Sequence, residues 1–230
     1  MKSFRTFRTT SGPLPERPFY PDELIEQMCS DALAEDGFLP REPGRVRIDR
    51  FVEKRFKLQI RYEALDAGVL GFTEFGPNGV QAVYIHEPRE RTVSAERLMN
   101  STTAHEGGHG LMHAHLFVPE FDSRGLFDND PDVSKTRVLC REPRQRKYDG
   151  RWWEFQANRA IGALLMPKEL FLKFMEQFLE QRGTFGLPIL PPGRREEAIQ
   201  AAANLFEVNP AAARVRVDLL FPNAGGQLTL

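Results

Sequence analysis

Residues 102–115 read TTAHEGGHGLMHAH. Four of the chain's five histidines fall in this stretch, and His105, Glu106 and His109 spell H-E-x-x-H. On a helix, residues four apart share a face, so His105 and His109 can present ring nitrogens to one ion. Glu106 stands where a carboxylate can reach a water on that ion without binding the ion itself. Zinc lowers the pKa of such a water to ~7, and a nearby carboxylate can then take its proton as it attacks a carbonyl. The stretch therefore asks for a helix here, a third ligand elsewhere, and a fold that brings the two together.

Gly107, Gly108 and Gly110 interrupt the same helix. Each costs a helix interior up to ~1 kcal/mol relative to alanine, so three together predict a backbone packed closely against a sheet edge or an extended substrate. Three residues compete for the third ligand position. His113 lies one further turn along, but eight residues of rise put it ~12 Å from His105 on a straight helix. That makes it a supporting or core residue. His115 completes the spacing H-E-x-x-H-x-x-G-x-x-H, yet Met112 holds the glycine position where the chain would turn. Methionine does not accept a positive φ as glycine does. Glu154, in WWEFQAN, stands on a later helical stretch with Asn158 four residues on. Gluzincin-type peptidases take a glutamate from such a helix, and Asn158 could accept from a ring N–H of a ligating histidine. A solvated face of an amphipathic helix would also carry such a glutamate.

Around these motifs the pattern is that of an α+β chain. Residues 1–20 hold Gly12, Pro13, Pro15 and Pro18 and are expected to be a flexible arm. Pro21 opens DELIEQMCSDALAEDG, with apolar residues at helical spacing and acidic residues in the first turn. A short helix follows in RIDRFVEKRF. KLQIRYEAL then alternates, and GVLGFTEF and VQAVYIHE flank GPNG as a hairpin. Three strands forming a small antiparallel sheet packed on the histidine helix are expected. Helix runs from Thr92 to about His115, residues 117–150 read as a long irregular segment, and the C-terminal half is mostly helical. RWWEFQANRAIGALLMP and PKELFLKFMEQFLEQRG form two of its helices, and Asn209-Pro210 breaks the last segment into two more. These boundaries give an arm over 1–20, a metal-binding domain over 21–190 and a helix–turn–helix-like segment over 191–230.

Composition narrows the function classes. Lys+Arg 31 against Asp+Glu 32 leaves a net charge of −1, which makes no bulk electrostatic case for nucleic acid or an acidic membrane surface. No run approaches the ~20 apolar residues of a membrane span. The basic start has no apolar core of a signal peptide. The two cysteines, Cys29 and Cys140, are too far apart in sequence for a C-x-x-C pair and read as reduced thiols. A cytoplasmic location is expected.

TTAHEGGHGLMH followed by WWEFQANRAIGALLMP resembles the ImmA/IrrE family of metallopeptidases, with T-x-A-H-E-x-G-H-x-x-x-H in one helix and E-x-x-A-N…L-M-P in a later one. The resemblance covers roughly residues 45–220. It implies a thermolysin-like metallopeptidase core, Zn2+ held by His105, His109 and Glu154, and Glu106 as general base. Asn158 and His113 then support the ligands. It also implies a regulatory protease whose protein substrate is a repressor or antitoxin-like partner, and so a link to transcription regulation. Two departures stand out. Ile161-Gly162 replaces the usual Phe-Ala, and the interval from His109 to Glu154 (154 − 109 = 45 residues) is longer than usual, so an added loop bearing Cys140 would cover or gate the site. Candidates for stabilising an oxyanion are Tyr84, His86, Tyr148 and Arg151. A rival reading makes the chain a DNA-binding regulator reading a groove through Arg214 and Arg216, or an interaction module with a structural or silent metal.

Overall fold

The structure, a computed structural model, describes residues 6–8, 16–122, 136–141, 151–181 and 188–222. The stretch expected as a flexible arm supplies two short strands, β1 (Thr6–Arg8) and β2 (Glu16–Pro18), which pair antiparallel. Pro18 and Tyr20 are buried, and Tyr20 Oη donates to the Met112 carbonyl at 3.2 Å. Pro21 then precedes α1 (Asp22–Glu35), with Asp22 and Glu23 near the positive end of its dipole. The amphipathic α2 (Ile48–Phe56) ends at Lys57, which takes the left-handed conformation at φ 55°.

That left-handed residue delays the first strand of the sheet. KLQIRYEAL alternates, but only β3 (Arg61–Glu63) pairs. The expected hairpin forms from β4 (Val69–Gly76) and β5 (Gly79–His86), closed at Pro77-Asn78 with Gly79 at φ 101°. The sheet differs from expectation in two ways. It has four strands in the order β3-β5-β4-β6, and β3 runs parallel to β5, so it is mixed and not antiparallel throughout. Its fourth strand, β6 (Thr136–Arg141), comes from residues 117–150, which read as irregular because charge and proline surround the short run TRVLCR. Cys140 lies on β6 opposite Gly71.

One face of the sheet carries α3 (Val93–Asp122), which runs past His115 where the sequence pattern expected it to end. A Cβ on Gly71 would stand 2.7 Å from Thr102 Cγ2, so the helix meets β4 at a residue without a side chain. Phe72, Ala82 and Tyr84 form a separate cluster on the opposite face. After β6 come α4 (Trp152–Leu165) and α5 (Lys168–Met175), the latter shorter than expected because its last turn tightens to a 3-10 helix at Glu176–Phe178. A small pair, β7 (Glu180–Gln181) and β8 (Pro188–Ile189), leads to α6 (Arg195–Leu205) and α7 (Pro210–Leu220), divided at Asn209-Pro210 as expected. Ile25, Phe51, Ile85, Leu164, Phe171, Ile199 and Val217 belong to one hydrophobic core, so the terminal helices are built onto the same interior as the sheet and α3. No helix among the described residues is long and apolar enough to cross a membrane.

The glycines of α3 are where neighbours come closest. A Cβ on Gly108 would stand 2.7 Å from Ala160 Cβ and 3.4 Å from the Ala157 Cα; one on Gly107 would stand 3.0 Å from Val52 Cγ2; and one on Gly110 would collide with the Phe56 ring. Close backbone packing is thus what these residues allow, against α2 and α4 rather than a sheet edge. Gly108→Ala gains ~1 kcal/mol of helix propensity but overpacks a contact between two rigid backbones, a change that costs ~1–3 kcal/mol. The expected outcome in urea unfolding is a net loss of roughly 1–2 kcal/mol, part of which returns when Ala160→Gly is added to the same chain. Two losses that simply add would show that the helices do not meet at this point.

Candidate metal centre

The small residues of α3 and α4 bring Glu154 to the two histidines. His105 Nε2 lies 3.0 Å from His109 Nε2 and 3.2 Å from Glu154 Oε2, and His109 Nε2 lies 3.5 Å from Glu154 Oε1. Two ligands bonded to one four-coordinate ion at ~2.05 Å stand about 3.3 Å apart. The two imidazoles and the carboxylate therefore already stand about as far apart as ligands of one ion do, and His105, His109 and Glu154 form a buried group that could hold a metal ion. His105 and His109 are almost inaccessible, at 3% and 0% of the side chain, whereas Glu154 is 14% exposed, so solvent meets the group from the Glu154 side.

Each ligand candidate has a partner behind it. His105 Nδ1 lies 3.2 Å from Asn158 Oδ1. An amide oxygen only accepts, so His105 donates there from Nδ1, which leaves Nε2 as the ring atom that faces the centre. His109 Nδ1 lies 2.9 Å from His113 Nδ1, and His113 Nε2 lies 2.9 Å from Gln156 Oε1. Glu106 turns the other way, toward the sheet, where Thr73 Oγ1 donates to its Oε2 at 2.6 Å. Its second oxygen, Oε1, is buried and has no hydrogen-bond partner among the described residues.

Burial dominates the electrostatics. It pushes the Glu106 carboxyl up to about 7, against the lowering effects of His105 and of the Thr73 hydrogen bond. It drives His109 down to about 4 and His113 well below the ordinary imidazole value, so both are neutral near pH 7. Burial would also raise Glu154, but the contacts with His105 and His109 outweigh it and hold this carboxyl well below the usual range. Neutral imidazoles and an ionised carboxylate are the states that bind a metal ion.

The structure places the remaining candidates elsewhere. His115 is exposed, two residues past His113, and takes no part in the donor group. Tyr84 stacks on Phe72 at 4.3 Å on the far face of the sheet, and its hydroxyl accepts from Arg61 at 2.6 Å. His86 accepts from the Leu65 N–H at 3.1 Å and lines a small apolar cleft with Leu98 and Met99. Tyr148 lies outside the described residues, and Arg151 is exposed immediately before α4. Arg216 is fully buried, paired with Glu26 and donating to the Met166 carbonyl, and Arg214 is paired with Glu196 at 2.6 Å. Of the two arginines considered for a DNA groove, Arg216 thus lies inside the fold and Arg214 is exposed in a surface ion pair. Cys29 is buried and free, with its thiol pushed far up by burial.

Sequence reasoning missed Thr73 and Gln156. Alternation along β4 puts Thr73 on the same face as Gly71, toward α3, and that is the signal that could have found it. Comparisons of the chain with protein-family models and with curated proteins find no match.

A buried carboxyl whose pKa is raised in the folded state favours folding below its unfolded value, about 4.5, and loses that contribution as pH rises to about 7. Glu106→Gln removes the titration. In the metal-free protein it is expected to gain stability over wild type by roughly 3 kcal/mol more at pH 8 than at pH 4.5. His109 and His113 act in the opposite sense, losing stability as pH falls below 6.5, but they do so in both proteins and cancel. Urea unfolding at the two pH values measures the difference; an equal effect at both would mean that Glu106 ionises in the fold as it does in water.

Proposed function

We propose that this protein is a zinc-dependent endopeptidase with a thermolysin-like core. The observation that carries the reading is Glu106: one oxygen is held by Thr73 while the other is free and buried beside the three-donor group. Two imidazoles and one glutamate are a catalytic zinc set, which leaves the fourth position open for water or substrate. When bound, zinc supplies a Lewis acid that brings a water proton within reach of a base near neutral pH and polarises a carbonyl.

The residues of the chain divide the remaining work. Thr73 donates to Oε2 and so leaves Oε1 of Glu106 to act as the proton acceptor. A carboxyl raised toward neutrality also serves as the acid that returns this proton to the leaving amine. Asn158 fixes the ring of His105. Glu154 lies on the accessible side, so a peptide approaches across α4. The two helical motifs that resemble the ImmA/IrrE metallopeptidases favour a regulatory protein substrate of the repressor or antitoxin type.

Purified protein is expected to hold one zinc per chain by elemental analysis, and His109→Ala to hold far less. Glu106→Gln keeps the metal but cuts cleavage of a peptide library, read by mass spectrometry, by ~10²–10⁴-fold, the size of a general-base contribution. Cleavage lost on chelation returns with added zinc. Absence of stoichiometric metal, or undiminished cleavage in Glu106→Gln, would overturn the proposal.

A further inference from the structure

A line of hydrogen bonds runs from the N-terminal arm to the metal centre. Gln156 Nε2 donates to the Pro18 carbonyl at 2.9 Å, Gln156 Oε1 faces His113 Nε2 at 2.9 Å, and His113 Nδ1 faces His109 Nδ1 at 2.9 Å. Only the first group has a role that cannot change, because a backbone carbonyl accepts and never donates. The others follow from it. The amide of Gln156 must turn its NH2 to Pro18, which leaves its oxygen toward His113. That oxygen can only accept, so His113 Nε2 carries a proton.

His113 is fully buried, has an uncharged amide on one side, and among the described residues makes no bond to a carboxylate. A second proton on its ring would bury a charge with no carboxylate bonded to it. Its Nδ1 is therefore a lone pair, and the contact to His109 Nδ1 is a hydrogen bond only if His109 donates. His109 Nε2 is then left as a lone pair, and it is the atom that faces His105 and Glu154. In the other tautomer His109 would aim a proton into the donor group and a lone pair at the lone pair of His113.

We propose that Gln156 is a positioning residue of the metal centre: with the Pro18 carbonyl as fixed acceptor, it sets through His113 the tautomer in which His109 offers Nε2 to the metal. The end of the N-terminal arm is thus part of the metal centre through the backbone carbonyl of Pro18. The inference rests on His105, His109 and Glu154 being metal ligands, but not on peptidase activity.

The test compares full-length wild type with Gln156→Leu. Nitrogen-15 spectra of the metal-free proteins read the ring tautomers directly. Wild type is expected to show His109 protonated at Nδ1 and His113 at Nε2, and Gln156→Leu to show mixed tautomers at both. Zinc affinity, measured by competition with a chromophoric chelator, is expected to fall ~10–100-fold in Gln156→Leu, the usual effect of losing a partner behind a ligating histidine. Should Gln156→Leu fail to fold, the pair His113→Asn and His113→Leu replaces it. Asparagine can accept from His109 and donate to Gln156, so it is expected to keep most of the affinity that leucine loses. Unchanged tautomers and zinc affinity within twofold of wild type in Gln156→Leu would overturn this proposal and leave the metal site standing. Failure of wild type to bind zinc would overturn both.

Discussion

The helix that bears His105 and His109 has to admit a second helix within reach of its imidazoles, and it does so by having no side chain at residue 108. Ala157 and Ala160 of α4 fill that space. Glu154 and Asn158 flank this contact on the same helix, and both therefore arrive at His105. A second close approach joins the same helix to the sheet. Gly71 lets α3 settle on β4, which puts Thr73 at 2.6 Å from Glu106. One glycine contact thus sets the third metal-ligand candidate and the other sets the orientation of Glu106. Shifts of an ångström at either would separate groups that must act together.

Desolvation then determines charge. With His109 and His113 neutral and Glu154 ionised, a carboxylate charge lies enclosed by protein on most sides. Such a charge is costly to bury unless a cation answers it. Within the group, two imidazole nitrogens face each other at 3.0 Å with at most one proton available between them. A metal ion would satisfy all three donors at once, and its binding would then add to the stability of the fold.

Much of the site was legible in sequence because helical periodicity is a local rule. His105, His109 and Glu106 follow from spacing alone, and the three glycines announced close packing before the partner helix was known. The exclusion of His113 and His115 as ligands also followed from helix rise and from Met112, and His115 is exposed in the fold. The placement of Glu154 needed tertiary structure, since a solvated glutamate reads the same way in one dimension. The sheet was least legible. Strand β6 is a short run among charged residues, and the parallel pairing of β3 with β5 depends on contacts that no local pattern encodes. Thr73, Gln156 and Pro18 were missed for the same reason: each acts on a residue at least 33 positions away.

The surplus of histidines resolves into a division of labour along one face. His105, His109 and His113 occupy successive turns, with ring centroids 4.6 and 5.1 Å apart. A straight helix can bring only the first two to one ion, so the third turns its ring to the second instead of the metal. That arrangement demands a fixed end, because a row of imidazoles and amides can reverse its protons together. Glutamine could serve either polarity, and so could each histidine. A backbone carbonyl cannot, and a buried one at the end of the arm makes one polarity the stable one. The order of the protons at the centre is therefore a property of the whole fold, set at a residue far from the H-E-x-x-H motif in sequence.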